Sequence, residues 1–339
     1  MSRPFLIGWA PLRRRALIVG AGWEAQTILD AIQSAAPDDY EIVGIVREVG
    51  AEPDSRLISH TRVVGEGRDL ARIAQRLDAN EVILAAGERI NGELFQGVMD
   101  CYEAGIPLTP MPLLYERLTG MVPVEQVGGD WNIVLPLEGR SPFDPYPLLK
   151  RLMDIAFSLI GLVILGLMLP FIALLIKLDS PGPIFFWQER TGKAGRPYRL
   201  IKLRSMLMDD AEVKRGPLWA VAGDPRITRV GSFLRKSRLD ETPQLLNVLK
   251  GEMSMIGPRP ERPFFVKQLQ QTVPFYRTRL VVRPGLTGWA QVKYRYGNTE
   301  HDALIKLKYD LYYIRHRSIA LDVLILLRTV ARVLRLEGM

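Results

Sequence analysis

The segment Ile155–Ile176 reads IAFSLIGLVILGLMLPFIALLI, and none of its 22 residues carries a charge. Ser158 is its one clearly polar side chain. A straight helix of this length would extend roughly 33 Å, enough to cross a bilayer hydrocarbon core of about 30 Å. The alternative is a buried helix of a soluble protein, which is seldom apolar on all sides over this length. The segment therefore predicts a helix that enters a membrane.

The surroundings of this segment bear on how it sits in the membrane. Lys150 and Arg151 precede it and Lys177 follows it, so the positive-inside tendency favours neither orientation. The sequence holds no second comparable segment that would bring the chain back across a bilayer. Pro170 removes one helical hydrogen bond and favours a bend. We therefore expect a re-entrant helical hairpin over residues 155–176, bent near Pro170, with both ends on one face of the membrane.

The N-terminal part alternates strand-like and helix-like segments. Four runs have strand character: Arg15–Val19, Tyr40–Val46, Val63–Gly65 and Glu81–Ala85. Strands that alternate with helical segments are typical of an α/β fold with a doubly wound parallel sheet. We therefore expect a Rossmann-like domain over residues 1–125. A linker rich in Pro and Gly follows over residues 126–148, with a hairpin predicted at Gly128 and Gly129, and a mostly helical catalytic domain occupies residues 149–339.

A glycine-rich turn follows the first predicted strand. Gly20, Gly22 and Ala25 have the spacing of a dinucleotide-binding fingerprint at the start of a helix. The acidic residue expected at the end of the second strand is replaced by Val46 and Arg47, with Glu48 just beyond. Two interpretations stay open: the turn binds a nucleotide, or it is kept for packing in a domain that binds none.

Charge is divided unevenly along the chain. Residues 1–148 carry 13 Lys and Arg against 21 Asp and Glu, whereas residues 149–339 carry 32 against 16. The basic half could bind nucleic acid, anionic lipid or a phosphorylated substrate. It lacks zinc-finger spacing and aromatic RNA-binding patterns, so we expect no nucleic-acid partner. The single cysteine, Cys101, excludes an internal disulfide and fits a reducing cytosol.

The C-terminal segment Ile319–Leu336 is apolar with a basic face. Arg328, Arg332 and Arg335 share one side of a predicted helix. This pattern is typical of a helix lying in the membrane interface beside anionic lipid. An amphipathic helix packed on its own domain is the alternative.

Two adjacent acids, Asp240 and Glu241, lie in a basic window that ends at Gly251. Thr242 and Pro243 resemble the N-cap and first position of a helix, and Gly251 its C-terminal cap. Acids at a helix N-terminus are commonly mere complements to the helix dipole. A carboxylate can also attack phosphorus to give an acyl phosphate, provided that cations neutralise the phosphate oxygens.

Cationic residues recur around these acids along the sequence. The stretches concerned are Lys202–Met206, Leu234–Arg238, Gly257–Pro260 and Val282–Arg295. An arginine can grip a phosphate through two parallel hydrogen bonds, and an acid beside the nucleophile could hold a divalent metal on a diphosphate. This convergence of cations on two acids indicates phosphate-transfer chemistry.

At this point the sequence resembles a known family. The motifs that carry the resemblance, in order, are Lys150–Asp154, Lys202–Met206, Leu239–Glu241, Asn247–Gly251, Gly257–Pro260 and Arg283–Gln291. Together they are similar to the bacterial sugar transferases known as monotopic phosphoglycosyl transferases. The whole chain resembles the larger members, which place a Rossmann-like domain before the catalytic domain. Those members begin with a four-helix transmembrane bundle, whereas this sequence begins at the Rossmann-like domain.

The resemblance implies a two-step reaction. Asp240 would attack the sugar-bearing phosphate of a UDP-sugar and expel UMP, and polyprenyl (undecaprenyl) phosphate would then take the phosphosugar. Glu241 would bind Mg²⁺. Arg235, Arg259 and Arg295 would line the phosphate site. Lys202, Arg204 and Asp310 match family positions nearby.

The resemblance also implies a setting. The enzyme would be monotopic in the bacterial inner membrane, with its catalytic domain facing the cytosol. It would start the membrane stage of exopolysaccharide, capsule, O-antigen or glycoconjugate assembly. The N-terminal domain could regulate the enzyme or form a homodimer contact.

Two other functions stay open on the sequence. One is an NAD-dependent enzyme of nucleotide-sugar modification, based on the Gly20–Ala25 turn, which leaves the basic half unexplained. The other is a non-enzymatic membrane scaffold in which Asp240 and Glu241 are inert. Release of UMP from a UDP-sugar distinguishes both from a transferase.

Overall fold

The computed structural model describes residues 13–20, 22–47, 61–85, 92–124, 143–207, 224–294, 297 and 299–335. The chain divides into two compact units, Met1–Ile133 and Val134–Met339. The hairpin predicted at Gly128 and Gly129, the acidic residue Glu48 and the candidate site residue Arg295 lie outside the described residues.

A parallel sheet organises the N-terminal unit. Its strands are β1 (Arg14–Val19), β2 (Tyr40–Arg47), β3 (Val63–Glu66), β4 (Glu81–Leu84) and β5 (Leu108–Pro110), in the spatial order β3-β2-β1-β4-β5. Every neighbouring pair is parallel. The predicted α/β fold with a parallel sheet is confirmed at this level. The sequence analysis missed β5, because three residues are too few to show a pattern.

Helices cover both faces of this sheet. They are α1 (Trp23–Ala35), α2 (Leu70–Arg76), α3 (Gly92–Glu103) and α4 (Met111–Thr119). Ala16 and Ile18 of β1 pack with α1 and α4, whereas Leu17 and Val19 pack with α2 and α3. Successive strand side chains point to opposite faces, so this alternation gives the sheet two separate cores.

One long helix, α5 (Tyr146–Asp179), begins the described part of the second unit. It is long and apolar enough to cross a membrane, by length and composition. Its most buried side chains fall on a single face at i, i+4 and i+7 spacing: Asp154, Ser158, Leu165, Ile172 and Ile176. Most of its large apolar side chains are exposed, among them Phe157, Ile160, Val163, Ile164, Leu167, Phe171 and Leu174. Such an apolar surface is typical of a contact with lipid or protein.

The helix passes through Pro170 without a break. The segment is therefore not divided into two separate helices but forms a single helix of 34 residues, and its path in a membrane stays a prediction. A proline inside a helix removes one hydrogen bond, and packing of the flanking turns can preserve the helix. Here Ile172 and Ile176 pack against Leu203 and Leu234, which holds the turns after the proline in place.

The rest of this unit surrounds one face of α5. Its strands are β6 (Phe185–Thr191) and β7 (Pro197–Leu203), paired antiparallel, and β8 (Ser254–Ile256) and β9 (Gly285–Thr287), paired parallel. Its helices are α6 (Arg229–Lys236), α7 (Leu245–Lys250), α8 (Pro263–Thr272), α9 (Trp289–Lys293), α10 (Glu300–Arg315) and α11 (Ile319–Leu334). A 3₁₀ helix, Leu239–Gln244, lies between α6 and α7.

The basic face of α11 packs on its own unit. The Arg328 guanidinium lies 5.2 Å from the centroid of the Trp289 ring, and Arg332 Nη1 donates to the Gln291 carbonyl at 2.8 Å. The opposite face exposes Leu327 and Leu334 by 64% and 78%. Packing on its own unit therefore holds for Arg328 and Arg332, whereas Arg335 is exposed just after α11, and the other side chains that α11 exposes are apolar.

Candidate active site

Asp240 and Glu241 occupy the first turn of the 3₁₀ helix Leu239–Gln244. Arg238 enters this helix with left-handed backbone at φ 61° and turns its guanidinium towards Glu241. The predicted N-cap at Thr242 is wrong, since helical geometry already starts at Leu239 and the Thr242 hydroxyl donates to the Leu239 carbonyl. Pro243 lies inside this 3₁₀ helix, two residues before α7 begins at Leu245. The predicted cap at Gly251 is confirmed by its φ of 82°.

Three cations hold Glu241. Arg259 Nη2 and Lys202 Nζ donate to its Oε1 at 2.7 and 3.0 Å, and Arg238 Nη1 pairs with its Oε2 at 3.5 Å. Burial alone would raise the pKa of Glu241, but the charges of Arg259, Lys202 and Arg238 outweigh it and hold the pKa well below its ordinary value. Glu241 is therefore ionised, and both of its oxygens are engaged.

Asp240 is buried but unengaged. Only 6% of it is exposed, and no side-chain hydrogen bond or ion pair to it occurs in the described part of the chain. Burial, together with the adjacent Glu241 charge, raises the pKa of Asp240 to about 6. Adjacent carboxyls whose pKa values are pushed apart commonly take different chemical roles. Here Glu241 organises the cations, and Asp240 is the carboxylate free to react.

Arg259 is fixed from two sides. Its Nη1 donates to Gln291 Oε1 at 3.3 Å, and its carbonyl accepts from Arg279 Nη2 at 3.0 Å. Arg279 in turn forms a buried ion pair with Asp310 at 2.8 Å. Asp310 therefore acts on the site indirectly: it holds Arg279, and Arg279 supports the backbone of Arg259. Sequence reasoning missed Arg279 and the role of Gln291, since neither belongs to a recognisable charge pattern.

Of the other predicted site residues, Arg235 lies near the two acids and Arg204 lies away from them. Arg235 Nη1 contacts Met206 Sδ at 3.3 Å, and its charge acts to lower the pKa of Asp240. Arg204 is buried elsewhere: it donates to the carbonyls of Ile176, Ser180 and Pro181 and so caps the C-terminal end of α5. The structure therefore brings Lys202, Arg235, Arg259 and the two acids together, and it places Arg204 and Asp310 in supporting positions.

A buried polar network ties the apolar helices to the β8–Arg259 segment. Lys150 Nζ pairs with Asp322 at 3.1 Å, and Tyr313 donates to Asp322 at 3.0 Å and to the Ile256 carbonyl at 3.2 Å. Asp154 Oδ1 accepts from the backbone N–H of Met255 at 2.9 Å. The only sequence signal for this network was the Lys150–Asp154 motif, since an acid in the first turn of α11 is ordinary.

The side chains of this site could hold a metal ion only together with oxygen atoms of a substrate. No group of three or more His, Cys, Asp or Glu side chains that could hold a metal occurs within the described ranges. Mg²⁺ is commonly bound by one or two carboxylates together with substrate phosphates and water. Glu241 was expected to bind Mg²⁺, but both of its oxygens contact cations here, whereas the Asp240 oxygens have no side-chain partner among the described residues. The residues fit a Mg²⁺ ion that is completed by a diphosphate.

Comparisons with known proteins identify the family of the region that contains this site. The family described as bacterial sugar transferase matches residues 145–336, which hold all of these groups, and the chain belongs to that family. Over 243 residues it is 42% identical to a UDP-N-acetylgalactosamine-undecaprenyl-phosphate N-acetylgalactosaminephosphotransferase of Aeromonas hydrophila, covering 72% of this chain and 56% of that protein.

Two further relatives extend the comparison. A UDP-glucose:undecaprenyl-phosphate glucose-1-phosphate transferase of Xanthomonas campestris pv. campestris is 37% identical over 258 residues, covering 75% of this chain and 52% of the relative. An undecaprenyl-phosphate glucose phosphotransferase of Komagataeibacter xylinus is 33% identical over 334 residues, covering 95% and 59%. The chain thus spans little more than half the length of these three relatives.

Proposed function

We propose that this protein transfers a sugar-1-phosphate from a UDP-sugar to polyprenyl phosphate and releases UMP. The observation that carries the proposal is the contrast between the two acids. Asp240 is buried, unengaged and surrounded by cations, whereas Glu241 is tied to Lys202, Arg238 and Arg259. The names of the relatives, all of them undecaprenyl-phosphate sugar phosphotransferases, support the same reaction.

In the first step a carboxylate oxygen of Asp240 attacks the sugar-bearing phosphorus. A bond forms between that oxygen and phosphorus, and the bond from phosphorus to the bridging diphosphate oxygen breaks, so UMP leaves with the electron pair. Lys202, Arg235 and Arg259 lie where they neutralise the charge on the phosphate oxygens. The product is an acyl phosphate on Asp240 that carries the sugar.

In the second step an oxygen of polyprenyl phosphate attacks the same phosphorus. The acyl-phosphate bond breaks, Asp240 returns as a carboxylate, and a lipid-linked diphosphate sugar leaves. With the acceptor and UMP both as dianions, no proton is gained or lost overall. The cations need not move between the steps, because both involve the same phosphorus.

Asp240 would hold Mg²⁺ together with the donor diphosphate, and the bound ion would supply positive charge to the leaving phosphate. Glu241 contributes by holding Arg259 and Lys202 beside that position. Chelation of Mg²⁺ should therefore abolish UMP release.

Membrane attachment follows from α5 and α11. Near its start, Arg151 of α5 donates to the carbonyls of Val248 and Leu249, and near its end Asp179 accepts from the N–H of Val230. Both ends thus contact the same unit, which supports a monotopic enzyme whose helix does not separate its flanks. The proposed location is the cytosolic face of the bacterial inner membrane, where a soluble UDP-sugar meets a lipid-held acceptor.

The N-terminal unit has a supporting part in this proposal. Its parallel sheet fits a Rossmann-like domain in which Gly20, at φ 130°, turns the chain towards α1. A regulatory nucleotide and a homodimer contact are its proposed roles.

A donor panel tests the function. The purified protein in detergent, with undecaprenyl phosphate and Mg²⁺, is offered UDP-glucose, UDP-galactose, UDP-N-acetylglucosamine and UDP-N-acetylgalactosamine. At least one donor should give UMP and a lipid-linked diphosphate sugar in equal amounts. Release of UDP in place of UMP, or no product from any donor, would contradict the proposal.

A further inference from the structure

A cavity of about 240 Å³ lies between α11 and the 3₁₀ helix, and Glu241 is the acid of the pair that lines it. Most of its wall is apolar and includes Leu245, Met255, Leu286, Leu326 and Val330. Glu241 and Arg238 form part of its lining, so one end of the cavity reaches the carboxylate that the cations surround. The reaction steps proposed above place no group in it.

The wall of this cavity reaches both lipid-facing helices. Gly161 of α5 lies so close to Leu245 that a Cβ at this glycine would fall 2.6 Å from a Leu245 methyl carbon. On the other side, Val330 of α11 lines the cavity and is 55% exposed. The cavity lining therefore extends from Val330, which is also part of the outward apolar surface of α11, to Glu241.

Most polar groups that line the cavity already have partners, and the exception among the described residues is the Gln291 side-chain nitrogen. The hydroxyls of Thr287 and Thr329 bond to each other at 2.7 Å, and Arg332 donates to the Gln291 carbonyl at 2.8 Å. A ligand with many hydroxyls, such as a sugar or a ribose, would find few free partners here and would lose its hydration. An apolar chain whose charged end lies among cations matches both the wall and its inner end.

We infer that this cavity binds the isoprenyl units next to the phosphate of the polyprenyl phosphate acceptor. The inference rests on the proposed function and identifies where its second substrate enters. The phosphate lies at the Arg238–Glu241 end, within reach of Asp240, and the chain leaves past Val330 towards the lipid. Burial of apolar chain in the cavity then adds to binding in proportion to the area removed from water.

Tryptophan substitutions at two separate walls test the inference. Leu326→Trp fills the cavity from α11, and Leu286→Trp fills it from β9. The matched control is Leu327→Trp, at a neighbouring position that is 64% exposed and does not line the cavity. Two rates are measured for each protein with UDP-glucose or UDP-N-acetylgalactosamine: exchange of labelled UMP into the donor without acceptor, and transfer to undecaprenyl phosphate in micelles.

We expect both cavity variants to keep the exchange rate of the unaltered protein. Their KM for undecaprenyl phosphate should rise ~10-fold, which corresponds to ~1.4 kcal/mol of lost binding, and the control should change neither quantity. If the KM for undecaprenyl phosphate of both cavity variants equals that of Leu327→Trp, the inference is wrong. A higher KM for the UDP-sugar, with exchange slowed in parallel, would also overturn it and assign the cavity to the donor. Absence of exchange in the unaltered protein would instead refute the two-step reaction on which the inference rests.

Discussion

At the scale of single residues, Asp240 and Glu241 differ in what the fold does to their charge. Asp240 has no partner in the described structure and a pKa raised to about 6 by burial and by Glu241. Its ionised form therefore costs stability at neutral pH, because the folded state binds its proton more tightly than the unfolded chain does. Glu241 has three cationic partners and a lowered pKa, so its charge stabilises the fold. This contrast leads to two predictions.

The first prediction compares two isosteric variants. Asp240→Asn should abolish UMP release and leave the protein at least as thermally stable as the unaltered one. Glu241→Gln should slow the reaction and lower the free energy of unfolding by roughly 2 kcal/mol, because Lys202, Arg238 and Arg259 lose their common charged acceptor. Thermal unfolding of both variants at pH 7 checks this. If Asp240→Asn is less stable than the unaltered protein and Glu241→Gln is equally stable, the roles that we assign to the two acids are wrong.

The second prediction concerns pH. The nucleophile must be ionised, so kcat/KM for the UDP-sugar should fall as the pH drops through about 6, the pKa of Asp240 in the free enzyme. Below that pH the decline should approach tenfold per unit, as for a single titrating group. A profile that stays flat down to the ordinary pKa of an aspartate would contradict the raised value. Circular dichroism at each pH serves as the folding control.

At the scale of elements, α5 and α11 present apolar surfaces outward and are joined at their inner sides. Lys150 of α5 and Asp322 of α11 form an ion pair at 3.1 Å, with Asp322 fully buried. Tyr313 links this pair to the Ile256 carbonyl, just before the turn that carries Arg259. The two helices for which we propose lipid contact are thereby connected to the segment that carries Arg259.

The third prediction tests this link. Lys150→Met should leave Asp322 buried without its counter-charge and destabilise the protein by about 3 kcal/mol. Adding Asp322→Leu should restore much of that loss, since a buried pair replaced by apolar groups of similar size is often neutral in stability. Denaturant unfolding of the single and double variants is the measurement. If the unaltered protein, Lys150→Met and the double variant are equally stable, the ion pair does not contribute to the stability of the fold.

The fourth prediction concerns the topology of α5. Cys101, the only cysteine, is fully buried, which provides a background for single introduced cysteines. In spheroplasts, Phe143→Cys and Glu189→Cys, on either side of α5, should both resist a membrane-impermeant maleimide until the membrane is permeabilised. Labelling of one of them in intact spheroplasts would show that α5 separates its flanks.

Sequence patterns predicted some elements well and others poorly, for physical reasons. The four longer strands follow from strand-like runs that alternate with helical segments, and the long helix follows from an uncharged apolar run of 22 residues. The continuity of the helix at Pro170 was not predicted, because it depends on the packing of Ile172 and Ile176 against other segments. The acids were identified from their basic surroundings. The roles of Arg204, Arg279 and Gln291 depend on contacts between distant segments, which no local pattern contains.

At the scale of the whole molecule, the groups assigned to chemistry all lie in the unit Val134–Met339, within the region that matches the bacterial sugar transferase family. The acidic N-terminal unit contributes none of them. The chemistry and the membrane contact are thus proposed for one unit.

The fifth prediction follows from this division. A fragment comprising residues 134–339, in detergent or lipid, should keep the UMP-releasing activity of the full chain, with a lower melting temperature as the tolerated difference. The full chain prepared in the same detergent is the control. A fragment that is folded and membrane-bound yet inactive, and that regains turnover when residues 1–133 are added back, would place the N-terminal unit in the active site.

The central claim is that Asp240 carries the phosphosugar between the two substrates. Intact-mass analysis of the protein mixed with Mg²⁺ and a productive UDP-sugar, without acceptor, tests it most directly. We predict a covalent species heavier by one sugar phosphate that disappears when undecaprenyl phosphate is added and never forms on Asp240→Asn. An adduct on Asp240→Asn, or lipid-linked product formed at full rate by a protein that never gains mass, would contradict the account.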